Sequence, residues 1–275
     1  MTIPAAPRLH LAVEAAFRCL LEEGLHAFPV DPAAIIAHRG WRLRTYTHMA
    51  SRMDEHATVD DVLALYHMKD AFASRQVTTS GTVSYLVCYN DRVEVYERVV
   101  FSLAHEIGHI LLGHFDYGAM EAFTPAQRAV LDREASVFAA NLLAPAPIVT
   151  LLRRPEAEQT RRLFGLSKAG WQARLDTLRS DTQLYSSAAA SLLRERFTPY
   201  MYRRQCAACG AIFTGRDACP ACGGINLRWS PAPEDAASFP WSPDTWRAAA
   251  PSDPDMLENP LADDERWHGD DRGSY

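Results

Sequence analysis

The chain has 275 residues, 48% of them hydrophobic and 23% charged, with a formal net charge of −6. That length suffices for one sizeable core plus appendages, and no apolar run approaches the roughly 18 residues that a membrane-spanning helix needs, so no membrane partner is expected. Four of the six cysteines fall in paired C-x-x-C steps and the other two, Cys19 and Cys88, lie far apart in apolar settings, a usage that suits metal binding in a reducing compartment better than a disulfide framework.

The first apolar segment, residues 9–21, is interrupted by His10, Glu14 and Arg18 and reads as part of an amphipathic helix over about 9–23, not a secretion signal. The expected location is therefore the cytoplasm. Pro29 and Pro32 lead to a second short helix, after which residues 41–46 alternate like a strand. A helix is predicted at 58–69 and a hairpin at 76–89 with Ser80-Gly81 at its centre. Its second strand, 83–89, is expected to form an edge that pairs with an extended peptide through ladder hydrogen bonds. Tyr85 and Tyr89 on that strand are candidates to polarise a carbonyl, although packing on the sheet face is the plainer role for each.

Residues 94–114 form a continuous helical pattern rich in Val, Leu and Ile, and inside it stands His105-Glu106-Ile107-Gly108-His109. Residues four apart on a helix differ by about 40° and one turn, so both imidazoles can reach one metal ion. Glu106, about 100° further round, is placed to contact a water and not the ion. His114 lies nine residues after His105, about 180° round the same helix, and is left out of the metal shell. The elongated motif with a third histidine is excluded, because Leu112 and Phe115 occupy the positions of its glycine and histidine.

Thr124-Pro125 is an N-cap followed by proline at the first helical position, opening a helix that runs to about residue 143. On its wheel Glu134 falls among Val130, Leu131, Val137 and Phe138, all within about 60°. A carboxylate in such a stripe needs a cation or several donors. Zinc shared with His105 and His109 is the economical cation, and a buried salt bridge to an arginine is the alternative. Asp116, Glu121 and Asp132 are weaker candidates.

After Pro147 the pattern is all-helical, and 161–178, with Ser167 as N-cap, has a helix-turn-helix look whose Arg161, Arg162, Lys168, Arg174 and Arg179 make only a mildly basic face. Cys206, Cys209, Cys219 and Cys222 then form two knuckles, the signature of a structural zinc ribbon with Ile212 and Phe213 in its hairpin. Residues 231–275 carry 11 acidic residues against 3 arginines and seven prolines, as expected of a disordered acidic tail. The remainder sums to only +2, so strong nucleic-acid binding is not expected.

Taken together, the segments 97–114, with His105-Glu106-Ile107-Gly108-His109 and Gly113-His114, and 132–145, with Asp132-Arg133-Glu134-Ala135-Ser136-Val137-Phe138 and Leu142-Leu143-Ala144-Pro145, resemble the ImmA/IrrE family of metallo-endopeptidases. The likeness extends to Phe28-Pro29-Val30-Asp31-Pro32 and Phe164-Gly165-Leu166-Ser167-Lys168, and covers roughly residues 10–195. Ala144 and Ser136 depart from the Met and Asn usual in the family without removing a catalytic group. The resemblance implies a catalytic zinc on His105, His109 and Glu134, Glu106 as general base, and a narrow intracellular protein substrate, typically a helix-turn-helix repressor. The expected fold is α+β: a zincin-like peptidase core with a small sheet at 1–150, a helical extension resembling helix-turn-helix at 151–198, a four-cysteine zinc ribbon at 199–230 and the tail at 231–275. The competing readings are a peptidase-like scaffold without useful turnover, sensing a partner through the ribbon, and a nucleic-acid-binding regulator.

Overall fold

The computed structural model describes residues 2–77, 81–118, 122–152 and 158–229. The expected acidic tail and the candidate Glu121 lie outside the described residues. Among those residues no helix is long and apolar enough to cross a membrane.

The fold begins with α1 (Leu9–Glu22), whose Ala12, Val13, Ala16, Phe17 and Leu20 are buried at helical spacing, and continues into α2 (Pro32–His38), which Asp31 caps by accepting from the Ala33 amide. A three-stranded sheet follows, of β1 (Arg42–Thr45), β2 (Ala71–Val77) and β3 (Val83–Tyr89) in the order β1-β3-β2. β1 runs parallel to β3, pairing Leu43 with Val87, and β2 runs antiparallel, pairing Ala73 with Val87. Between β1 and β2 lie α3 (Tyr46–Met53), which the sequence reading did not predict, and α4 (Val59–Tyr66).

Strand side chains alternate between faces, and β3 uses the alternation to join two cores. Val87 and Tyr89 enter the main core, while Cys88 enters a smaller one with Tyr46, Val62 and Phe72. The central place of β3 corrects the expectation that it is an edge. The edges are β1 and β2, because the chain returns 71–77 and 42–45 to its two sides. Tyr89 is buried and Tyr85 packs edge-on against Trp41 at 5.6 Å, so both serve sheet packing.

The main core is built on α5 (Tyr96–Leu111) against α6 (Pro125–Leu143), with α1 packed on α6. α6 opens as predicted, on a capping box between Thr124 and Gln127. The two helices approach closely at Gly108, where an added Cβ would stand 3.0 Å from Phe138 Cδ1 and 3.1 Å from Ala135 Cα and O. Gly113, at φ +70°, ends the turn after α5 in the left-handed region and starts a 3-10 turn, His114–Tyr117.

Beyond α7 (Ala146–Val149), the helices α8 (Glu158–Leu163), α9 (Lys168–Asp181) and α10 (Ser187–Met201) share the main core instead of forming a separate body. Phe28 stacks on Phe197 at 4.6 Å and meets Phe164 at 4.7 Å, and the Tyr200 hydroxyl donates to the Phe28 carbonyl. The boundary expected at 198/199 therefore falls inside α10, whose last turn is anchored in the core. Arg174, placed on a basic surface by the sequence reading, is instead buried, where it pairs with Asp181 and donates to Asn141 and the Ala144 carbonyl. A second small sheet, in the order β5-β4-β6 from β4 (Arg203–Cys206), β5 (Ile212–Thr214) and β6 (Leu227–Trp229), carries the cysteines.

Candidate metal centre

α5 presents His105 and His109 one turn apart, as the four-residue spacing requires, with their Nε2 atoms 3.0 Å from each other. The other ring nitrogens are engaged behind them. His105 Nδ1 lies 3.3 Å from Ser136 Oγ on α6, and His109 Nδ1 lies 2.9 Å from Nδ1 of His114. Burial holds the His105 imidazole neutral, lowering its pKa to about 3 with help from the neighbouring His109. Two facing Nε2 atoms on largely buried rings are a donor set that one divalent ion, with bonds of about 2.0–2.1 Å to imidazole, can bridge.

The third member differs from the sequence expectation. His105, His109 and Asp132 offer ligand atoms that all lie within 4.8 Å of one another, with Asp132 Oδ1 3.5 Å from His109 Nε2. Asp132 is at the rim, its side chain 54% exposed. Partial burial would raise its pKa, but the bond to His109 and the nearby imidazoles hold it below the usual carboxylate value.

Glu134, expected as the third ligand, is not in this group. It is fully buried, as the wheel indicated, yet its oxygens accept from the Arg8 backbone amide at 2.6 Å, from Arg8 Nε at 3.0 Å and from Arg8 Nη2 at 2.8 Å, while His114 Nε2 lies 3.1 Å away. The cation that this buried carboxylate needs is thus the guanidinium of Arg8, brought in at the start of α1. Despite the desolvation that opposes it, Arg8 and His114 hold Glu134 below the usual carboxylate range.

Glu106 is buried beside the histidines, 6% exposed. Its pKa is raised by burial, opposed by His109 and by a hydrogen bond from the Ala73 amide on the edge strand β2. The carboxyl of the His-Glu-x-x-His motif is therefore buried within hydrogen-bond reach of β2, an outer strand of the sheet among the described residues. Sequence reasoning missed Arg8; it left His114 out of the metal shell, and the structure places His114 outside the ligand group, behind His109, though its contact with Glu134 was not foreseen. Gly113 was the available signal for His114, since a glycine at that place turns the chain back toward the helix it ends; nothing in the sequence pointed to Arg8.

In the second cluster Cys206, Cys209, Cys219 and Cys222 bring four sulfurs within 4.8 Å of one another. Cys206 and Cys222 are 3.6 Å apart and Cys209 and Cys219 3.5 Å, far beyond the roughly 2.05 Å of a disulfide, so the thiols converge as ligands would. Backbone amides of Cys209 and Ala208 directed at Cys206 lower its pKa to about 7, favouring the thiolate that binds metal. This arrangement is compatible with a zinc ribbon. Cys19 and Cys88 are buried elsewhere, with pKa values pushed up to about 12 by desolvation, which marks them as inert.

Residues 61–176 match the family model described as the IrrE N-terminal-like domain, a peptidase family. The matched segment contains His105, Glu106, His109, His114, Asp132 and Glu134, and excludes Arg8 and the four ribbon cysteines. No curated protein matches the chain.

Proposed function

We propose that this chain, whose residues 61–176 match the IrrE N-terminal-like peptidase model, is a zinc-dependent endopeptidase of the ImmA/IrrE type acting on a specific intracellular protein. The observation that carries the reading is the convergence of His105 and His109 Nε2 atoms, 3.0 Å apart, with Asp132 at the rim and the buried Glu106 alongside. His105, His109 and Asp132 would hold the ion. A divalent ion there supplies Lewis acidity, activating water at neutral pH and polarising a carbonyl.

The residues of the chain do the rest. Glu106, its pKa raised by burial, receives the proton of the attacking water and returns it to the departing amine. The edge of β2 positions an extended peptide beside Glu106, because its outer ladder groups offer backbone hydrogen bonds independent of side chain. The four-cysteine cluster would hold a second zinc, structural because four thiolates leave no position for water. Free cysteines throughout the described residues suit a reducing compartment such as the cytoplasm.

The substrate we favour is a helix-turn-helix repressor. A direct test incubates the purified chain with the repressor encoded nearest to its gene and follows cleavage by mass spectrometry, with Glu106→Gln as control. Cleavage by the native chain alone is expected. Binding without cleavage would favour the reading of a peptidase-like scaffold that senses its partner through the ribbon.

A further inference from the structure

β2 has a direction and a side-chain pattern that the proposed reaction does not use. The Asn90 amide donates to the Asp70 carbonyl at 2.8 Å, so the chain enters β2 with its even-numbered residues bonded toward β3. Backbone groups alternate between the two sides of an antiparallel strand, and the N–H and C=O of one residue point the same way. Ala73, Arg75 and Val77 therefore turn their backbone groups away from β3. The hydrogen bond from the Ala73 amide to Glu106 agrees with that alternation. No strand among the described residues pairs with this outer side.

The side chains of the same three residues share one face of the sheet. Ala73 stands opposite Val87 and Arg75 opposite Tyr85, and both partners pack in the main core with α5. Arg75 is exposed and has no ion-pair or hydrogen-bond partner among the described residues. Its neighbour in space, Arg98, is by contrast held by Asp70 at 2.8 Å. Two residues beyond Arg75, Val77 is 56% exposed and faces Val83, 41% exposed, across the ladder. Beginning beside Glu106, the outer side of β2 thus offers in turn a small residue, an unpaired cation and an exposed apolar pair.

We infer that Arg75 and the Val77–Val83 pair select the substrate: the segment that adds to β2 carries an acidic side chain opposite Arg75 and an aliphatic one opposite Val77. The inference rests on the reading of β2 as the strand that receives the peptide beside Glu106. At about 3.4 Å per residue the acidic position lies roughly 7 Å, and the aliphatic one roughly 14 Å, from the residue opposite Ala73. Both positions precede that residue if the substrate runs antiparallel to β2, and both follow it if parallel. Ladder bonds alone accept any sequence, whereas opposite charges facing each other across strands are favoured by up to about fivefold and like charges are disfavoured. An arginine on an outer strand also discourages pairing between copies of a chain, but that role is indifferent to where an acid lies in a substrate.

Cleavage of a randomised twelve-residue peptide library by the zinc-loaded full-length chain, with products sequenced by mass spectrometry and aligned on the cut bond, reads the preference. Asp and Glu are expected to be enriched at one position, and Val, Leu and Ile two residues further from the cut. Arg75→Glu should turn the acidic preference into one for Lys and Arg at the same position, and Arg75→Gln should remove it. No acidic preference in the native chain, or an unchanged one in Arg75→Glu, overturns the inference and leaves the endopeptidase reading standing.

A second measurement needs no turnover. Fluorescein-labelled nine-residue peptides with Leu, Glu and Ala on one face of an extended strand and Thr on the other, made in both sequence orders, are titrated into the zinc-loaded Glu106→Gln chain, with and without Arg75→Glu. Versions with Lys in place of Glu are the comparison. In one order the Glu peptide should bind about fivefold tighter than the Lys peptide, with the preference reversed by Arg75→Glu. The outward amides of Arg75 and Val77 should exchange hydrogen more slowly in the complex. Equal affinity for the two peptides, no binding of either, or unchanged exchange at those amides overturns the inference. Charge-selective binding with slowed exchange, in a native chain that cuts no peptide, upholds the inference and overturns the endopeptidase reading.

Discussion

Replacing Gly108 with alanine adds a single methyl group at the place where α5 and α6 meet, and two opposing effects can be weighed. In a helix interior alanine is favoured over glycine by about 1 kcal/mol. Against that, the new Cβ would stand 3.0 Å from Phe138 Cδ1 and 3.1 Å from both Cα and O of Ala135. Two of these three atoms belong to the α6 backbone and cannot rotate away, so the helices must part by a few tenths of an ångström, an overpacking cost of about 1–3 kcal/mol. The net expectation is a loss of up to about 2 kcal/mol, a fall in Tm of roughly 2–4 °C for each kcal/mol in a domain of this size. The separation also moves Asp132, on α6, relative to His105 and His109, on α5, so zinc affinity at that site should fall beyond what the stability change accounts for. The assay is thermal unfolding of the metal-free chain followed by chelator competition. A gain of about 1 kcal/mol, the full propensity benefit, would refute the close approach of the two helices at this residue.

Other outcomes follow from the same geometry. Glu106→Gln should fold and keep its metals while proteolysis falls by about 10²–10⁴-fold, as expected for loss of a general base; wild-type cleavage by this variant would remove Glu106 from the reaction. Metal analysis should find two zinc ions per native chain, with Asp132→Ala lacking one and Cys209→Ser the other, and a chelator-stripped chain should regain cleavage when zinc is restored. Burial raises the pKa of Asp31 from 3.8 to about 6, so the folded state holds that proton more tightly than the unfolded chain. Its contribution therefore favours folding below about pH 4 and fades as pH rises toward 6. Asp31→Asn, which keeps an N-cap oxygen for α2, should then be more stable than the native chain at neutral pH by up to ~3 kcal/mol, and the same pH dependence in both proteins in urea titrations would sink the assignment.

Much of the architecture follows from local rules that the sequence states directly. The imidazole pair depends only on a spacing of four residues in a helix, and the structure brings His105 and His109 together for that reason. Thr124-Pro125 opens α6 through a capping interaction confined to four residues, and two C-x-x-C steps gather four sulfurs, the first of them at the turn of the short β4–β5 hairpin. The short α3 and the central position of β3 were not legible, because strand order is set by which faces find partners and not by the alternation within any one strand.

The third residue of the candidate metal centre shows the boundary most clearly. The sequence determined that Glu134 is buried and needs a cation, and it offered zinc as the economical one with an arginine as the alternative. Residues two apart on a helix point about 160° away from each other, so α6 can turn either Asp132 or Glu134 toward α5, and the choice depends on how it rotates about the Gly108–Ala135 contact. Arg8, from a segment 126 residues distant, satisfies Glu134 in that orientation and leaves Asp132 facing the histidines. Local periodicity decided which side chains are available; long-range electrostatic pairing in the core decided which carboxylate faces the candidate metal centre, because a buried charge takes the partner that packing brings within hydrogen-bond reach.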